Sequence, residues 1–198
     1  LYRDGLNRGL FEPFIDILEA NCAIMALDGP VDYRRRRLDQ MPVYMTPCGE
    51  DTDARMDEAW DAATAGHEAN ETRIALKGRE IVVPRANGTA ARFSFDELCA
   101  RPLGARDYVR LSHAYDTLMV DGVPHFSRLR SDAAKRFILL VDTLYDRGVK
   151  LAASFAVPLD ELGQDDRTRF EFQRTVSRLI EMQSADYLGA PHKDAEPV

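Results

Sequence analysis

The stretch TLMVDGVPHFSRLRSDAAKRFILLVDTLYDRGVKLAASF, residues 117–155, decides the fold class. Thr117–Val120 is a short apolar run of strand length. From 132 to 146, Phe137, Leu140, Val141, Leu144 and Tyr145 recur at the i, i+3, i+4, i+7, i+8 spacing of one helix face. Gly148 follows where a helix C-terminus wants a glycine, and Val149–Phe155 is a second apolar run. Two strands joined by such a helix pair in parallel, because the crossover returns the chain to the same end of the sheet. Strand twist makes that crossover right-handed. The segment therefore predicts a βαβ unit and an α/β domain.

Upstream, Thr72–Leu76, Glu80–Val83 and Ala91–Phe95 are strand-length runs separated by Lys77-Gly78 and Asn87-Gly88. Both dipeptides are turn signals, so a meander is expected. After Gly104, the residues Tyr108, Leu111, Ser112 and Tyr115 mark a helix face. Downstream, a helix over 170–186 is predicted to turn Phe172, Val176, Leu179 and Ile180 inward. Residues 189–198, rich in Pro, Ala and charge, read as a tail.

The first third is less regular. Pro13 suits a first helical turn, where its missing N–H is harmless, and Phe14, Ile17 and Leu18 then share a face up to Asn21. Ile24–Leu27 is a short strand closed by Asp28-Gly29-Pro30. Residues 39–70 read as a peripheral connection carrying an acidic helix, with Met56, Ala59, Trp60 and Ala63 on one face and Thr52 as its cap.

Composition narrows the function classes. The 198 residues carry a formal net charge of −7, which argues against the basic face that general nucleic-acid binding needs. No apolar run approaches the ~20 residues that span a bilayer. The first residues alternate charge and apolar character, so no secretion signal is expected. Cys22, Cys48 and Cys99 are scattered and form no CxxC pair, which fits a reducing compartment better than a disulfide framework or zinc site.

Nucleotide chemistry has a clear signature: a glycine-rich loop whose amides cradle phosphate, followed by Lys and Ser/Thr. No GxxxxGK[ST] pattern occurs between Leu1 and Val198. Two runs end in carboxylates as Mg²⁺-holding strands do, Phe93-Ser94-Phe95-Asp96-Glu97 and Leu118-Met119-Val120-Asp121, but helix caps and turns give the same pattern. Arg8, ahead of the first helix, is either a surface charge or an arginine finger. Such a finger stabilises charge developing on a phosphoryl group in a neighbouring subunit. Arg174 and Arg178 lie four apart on one helix face. They read as partners of Glu171 and Glu181 or as a phosphate-sensing pair. The run Arg34–Arg37 could bind phosphate or RNA, but four basic residues within an acidic chain more often make a solvated or partner-facing patch. His67, His113, His125 and His192 are isolated from other ligand-type residues at metal spacing, and no metal site is expected.

Several blocks carry a family resemblance. LYRDGLNRGLFEPFI (1–15), VDYRRRRL (31–38), RFSFDELCARPLGARDYVRL (92–111), KRFILLVDTLYDRGVKL (135–151) and FQRTVSRLIEMQSADYL (172–188) together resemble the second half of ZapE-like (AFG-type) AAA+ ATPases. The resemblance implies the end of a P-loop AAA+ core over 1–38 and a variable connection over 39–70. A C-terminal α/β region with a strand meander, a βαβ unit and a terminal helix would occupy 71–188. It also implies that Walker A, Walker B and the sensor-1 Asn lie upstream of Leu1, where the element already under way suggests a truncated reading frame. Such a fragment would be inactive alone, and ATP and Mg²⁺ would bind only in the intact parent.

On this resemblance Arg8 becomes the catalytic finger acting in trans, with Arg178, and Arg174 behind it, as nucleotide-sensing residues. The looser match at Val120-Asp121-Gly122 places Gly122 where a second acid is common. A homo-oligomer, a protein substrate or cell-division partner, and a cytoplasmic setting (mitochondrial in a eukaryote, with a role in protein quality control) would follow. The competing reading is a non-catalytic protein-interaction module.

Overall fold

The computed structural model describes residues 42–76, 78–126, 131–163 and 169–192, together with positions 13, 14, 17 and 20. The chain divides into two compact units, Leu1–Val31 and Asp32–Val198. In the first unit the four described positions are helical, where Pro13 predicts a helix. The Ile24–Leu27 strand lies outside the described residues.

The second unit is built on one six-stranded sheet. Its strands are β1 (Tyr44–Met45), β2 (Asn70–Leu76), β3 (Arg79–Asn87), β4 (Ala90–Ser94), β5 (Thr117–Val123) and β6 (Lys150–Phe155), in the order β1-β6-β5-β4-β3-β2. β2, β3 and β4 form the expected antiparallel meander, whereas β4, β5, β6 and β1 are parallel. The helices are α1 (Glu50–Thr64), α2 (Ala105–Ala114), α3 (Ser131–Arg147), α4 (Arg169–Met182) and α5 (Ala185–Gly189). The fold class is thus α/β, with the meander, the β5–α3–β6 unit and the terminal helix all present.

Strand alternation feeds two cores at once. Along β5, Leu118 and Val120 join the cluster that contains Phe137, Leu140, Val141 and Leu144 of α3, while Met119 joins a second cluster with Met56 and Trp60 of α1. β6 does the same, with Leu151, Ala153 and Phe155 on the first side and Ala152 on the second. Central parallel strands are buried on both faces, which explains why they read as unbroken apolar runs.

Several elements depart from expectation for identifiable reasons. β3 continues through Pro84 to Asn87; Pro84 sits where the β2 register shifts, Thr72 pairing with Val83 but Asn70 with Ala86, so its missing N–H breaks no ladder bond. β5 likewise continues past Val120, because Asp121-Gly122 forms a bulge before Val123 rejoins Phe155. Gly122 has φ 73, a left-handed conformation that glycine adopts without strain, and its N–H donates to Ser154 Oγ at 2.8 Å.

The acidic helix is not peripheral. Met56, Ala59 and Trp60 of α1 are buried against the sheet, at 0%, 1% and 2% exposure. Full burial of a side chain such as Met56 is worth about 1.5–3 kcal/mol. Thr52 is not the cap; Gly49 holds that position, and the Thr52 hydroxyl donates to the Pro47 carbonyl. The predicted 170–186 helix breaks at Ser184, whose hydroxyl accepts the Tyr187 N–H and caps α5. Phe172 and Leu179 face inward as expected, but Val176 is half-buried and Ile180 is 55% exposed. Thr175 and Met182 occupy the inner face instead.

Candidate functional site

Charged side chains in the described part pair mostly across elements. The most buried arginine among the described residues is Arg92 on β4. It points toward α1, the face it shares with Ala90, because residues two apart on a strand share a face. Its Nε and Nη2 donate to the two oxygens of Asp121 at 2.6 and 3.0 Å, and its Nη1 donates to Asp57 of α1 at 2.5 Å. Burial alone would lower the Arg92 pKa. Hydrogen bonds and charge from Asp121, then Asp57, more than offset that and raise it. Asp121, a candidate Mg²⁺ ligand by sequence, therefore has both oxygens engaged by a guanidinium.

The other acidic strand end is a turn device. Glu97 accepts the Ser94 backbone N–H and hydroxyl, each at 2.8 Å, and so fixes the exit of β4 into the π-helical turn Asp96–Ala100. Tyr108 closes that turn by donating to the Leu98 carbonyl, and Arg136 of α3 donates to the Cys99 carbonyl. Asp107, wholly buried in the first turn of α2, accepts the Gly104 N–H and the Arg79 guanidinium of β3.

Arg174 and Arg178 converge on one partner that sequence reading missed. Asp142 of α3 accepts Arg174 Nη2 through Oδ2 at 2.6 Å and Arg178 Nη1 through Oδ1. Arg178 Nη2 also lies 3.7 Å from Asp146, and its guanidinium sits 5.0 Å over the Tyr145 ring. Glu181, the expected partner, instead accepts the Tyr145 hydroxyl at 2.8 Å. Tyr145 stacks on Tyr187 of α5, with centroids 5.8 Å apart and planes 12° from parallel, and Lys150 Nζ lies 4.7 Å over Tyr187. Lys150 also donates to the carbonyls of Tyr187 and Ala190. Contacts continue beyond α5, where His192 Nδ1 meets Asp116 at 3.2 Å.

His113 is exposed, and burial first, then the charges of Arg147, Arg110 and His192, hold its pKa below the usual imidazole value. Among the described residues no group of three His, Cys, Asp or Glu side chains could hold a metal ion. No helix among them is long and apolar enough to cross a membrane. Arg8, Arg34–Arg37 and Cys22 lie outside the described residues.

Comparison with known proteins agrees with the sequence blocks. The family model described as AFG1-like ATPase matches residues 1–191. The cell division protein ZapE of Escherichia coli (strain K12) is 41% identical over 192 residues, covering 97% of this chain and 51% of its own length. Lactation elevated protein 1 homolog B of Danio rerio is 32% identical over 222 residues, covering 94% of this chain and 44% of its own. The chain spans about half the length of the curated relatives it matches. No solved structure matches it. A family model that runs from Leu1 to Pro191, through both units, settles the membership: the chain belongs to the AFG1-like ATPase family.

Proposed function

We propose that this chain is the C-terminal portion of an ATP-hydrolysing AAA+ protein of the ZapE-like class. The single observation that supports the reading is the family match over residues 1–191, with 41% identity to a ZapE of which the chain covers half. In this reading the phosphate-binding loop and the Mg²⁺-holding carboxylate belong to the other half of the parent protein. This chain contributes Arg8, offered in trans to the nucleotide of a neighbouring subunit, and Arg178 with Arg174 as nucleotide-sensing groups. ATP with Mg²⁺ serves as the fuel of the intact oligomer. Its work is mechanical remodelling of a protein partner in the cytoplasm, and the name of the E. coli cell division relative supports a partner in the division apparatus.

A finger arginine acts only as charge builds on the transferring phosphoryl group, so its loss lowers kcat far more than nucleotide affinity. Arg8→Ala in the full-length parent should lower turnover strongly, toward the ~10³-fold loss typical of such residues, while nucleotide still binds. Equal turnover in mutant and wild type would remove Arg8 from the mechanism.

A second reading has its own support. Asp32–Val198 is a compact unit with its own sheet and cores, as a non-catalytic protein-interaction module would be. The two readings part on the full-length protein: an oligomeric ATPase favours the first, and a protein without ATP turnover favours the second.

A further inference from the structure

Four side chains from four elements form one continuous stack: the Arg178 guanidinium of α4, the Tyr145 ring of α3, the Tyr187 ring of α5 and the Lys150 ammonium of β6. A cation caps each end, and each cation is attracted to the electron-rich face of the ring beneath it. The Tyr187 end belongs to a short strap, residues 184–192. Three groups seat it: the Tyr187 hydroxyl, 3.2 Å from the Val149 carbonyl and 3.3 Å from that of Leu144; Lys150, holding the Tyr187 and Ala190 carbonyls; and Leu188, buried in the α1-side core. At the Arg178 end, one carboxylate answers two guanidiniums. Asp142 is 20% exposed, Arg178 22% and Arg174 55%, so this end lies at the surface, where a ligand can compete for the arginines.

We propose that Asp142 is a positioning residue that parks Arg174 and Arg178, and that transfer of Arg178 from Asp142 to a nucleotide phosphate uncaps the Tyr145–Tyr187 stack and loosens the 184–192 strap. The inference rests on the reading of Arg178 as a nucleotide-sensing residue and adds its regulation. A phosphate group competes well for the Arg178 guanidinium, which Asp142 holds directly and the largely solvated Asp146 only at 3.7 Å, because it carries more charge and accepts the planar fork in a bidentate way. The two states are discrete: Arg178 lies over Tyr145 and on Asp142, or it has left both. Arg178 therefore links two sites, and linkage makes the effect reciprocal. Because nucleotide binding loosens the strap, a loosened strap must bind nucleotide more tightly, by the same factor.

The test uses the full-length protein and two readouts: affinity for a fluorescent, non-hydrolysable ATP analogue with Mg²⁺, and hydrogen exchange of the 184–192 amides. In the wild type the strap amides should exchange several-fold faster when the analogue is bound. Asp142→Asn should tighten analogue binding by about fivefold or more, the lower end of ordinary coupling between sites, and should speed strap exchange without nucleotide. Asp142→Glu should restore the wild-type behaviour. A carboxylate that merely ties α3 to α4 would weaken binding when neutralised, not tighten it.

Tyr145→Leu guards against a general loosening by Asp142→Asn. It keeps apolar volume and removes the stack, so Arg178 should still govern affinity while the strap stops responding. If Arg178→Ala leaves affinity unchanged, the sensing reading itself fails. If Arg178→Ala weakens binding but wild-type strap exchange ignores the analogue, the sensing reading stands and the coupling is overturned. Unchanged or weakened binding in a folded Asp142→Asn protein overturns the parking role.

Discussion

Removing Asp121 should damage the fold much more than removing Asp57, although both carboxylates bind the same guanidinium. Arg92 is 7% exposed at its side chain, Asp121 29% and Asp57 63%. Deleting one partner of a buried ion pair generally costs about 3–5 kcal/mol, because it strands the other charge away from water. Here Asp57 remains at 2.5 Å and water reaches Asp121 in part, so Asp121→Ala should fall below that range, at about 2–3 kcal/mol. At ~2–4 °C per kcal/mol for a unit of this size, the melting temperature should drop by roughly 4–12 °C. Asp57→Ala removes a mostly solvated carboxylate and should cost below about 1 kcal/mol.

The double variant should exceed the sum of the singles, since Arg92 then keeps only the Met56 carbonyl at 3.5 Å. Adding Arg92→Met to that double variant should recover most of the loss, because an apolar chain of similar length no longer needs a counter-ion in the core beneath α1. Urea denaturation of the wild type and the four variants, followed by circular dichroism, measures all of this. An Asp57→Ala loss equal to that of Asp121→Ala, or no recovery in the triple variant, would refute the burial argument.

Three further outcomes follow from the packing and the titrating groups. Gly163→Ala should lower stability by about 1–3 kcal/mol, since the added Cβ falls within 3.0 Å of the buried Phe172 ring; an unchanged urea midpoint would contradict this crowding. Burial pushes the Cys99 thiol up to about 12, so at pH 8.5 iodoacetamide should modify the exposed Cys48 before Cys99 and reach Cys99 only on unfolding; native-state labelling of Cys99 at the Cys48 rate, read by mass spectrometry, would count against it. His113 binds its proton less readily folded than unfolded, so between its folded pKa and about 6.5 the unfolded chain carries more protons and stability rises with pH. His113→Gln should flatten that slope between pH 5 and 7, and an unaltered slope would assign it to other groups.

The βαβ unit was legible because everything that forms it is local: a 3.6-residue period through Phe137, Leu140, Val141 and Leu144, a glycine at 148, and apolar runs on either side. The place of α1 was not. Its inward face, Met56, Ala59 and Trp60, could be read from the sequence, yet what that face covers depends on β1 and β2 lying at opposite edges of the sheet. No short-range pattern carries that. Ile180 and Thr175 exchanged roles for a related reason. Apolarity ranks Ile inside and Thr outside, but the helix is oriented by its whole contact with α3, and Phe172, Leu179 and Met182 fix that orientation.

The charged residues fail a local reading more instructively. Sequence spacing nominates Glu171 and Glu181 as partners of Arg174 and Arg178, because it sees only their own helix. The structure pairs both arginines with Asp142, on another helix and more than thirty residues earlier. Arg92–Asp121 joins β4 to β5, Arg79–Asp107 joins β3 to α2, and Lys150 joins β6 to the α5 strap. Periodicity thus states which face of an element is buried, while these contacts state which elements meet. A charge inside an apolar strand, such as Arg92 in Ala90–Ser94, is the one signal of the second kind that a sequence shows, since burial without a partner is costly. Its partner must come from an element facing the same side of the sheet, and only the sheet order, with β5 beside β4, and the placement of α1 narrow the search to Asp121 and Asp57.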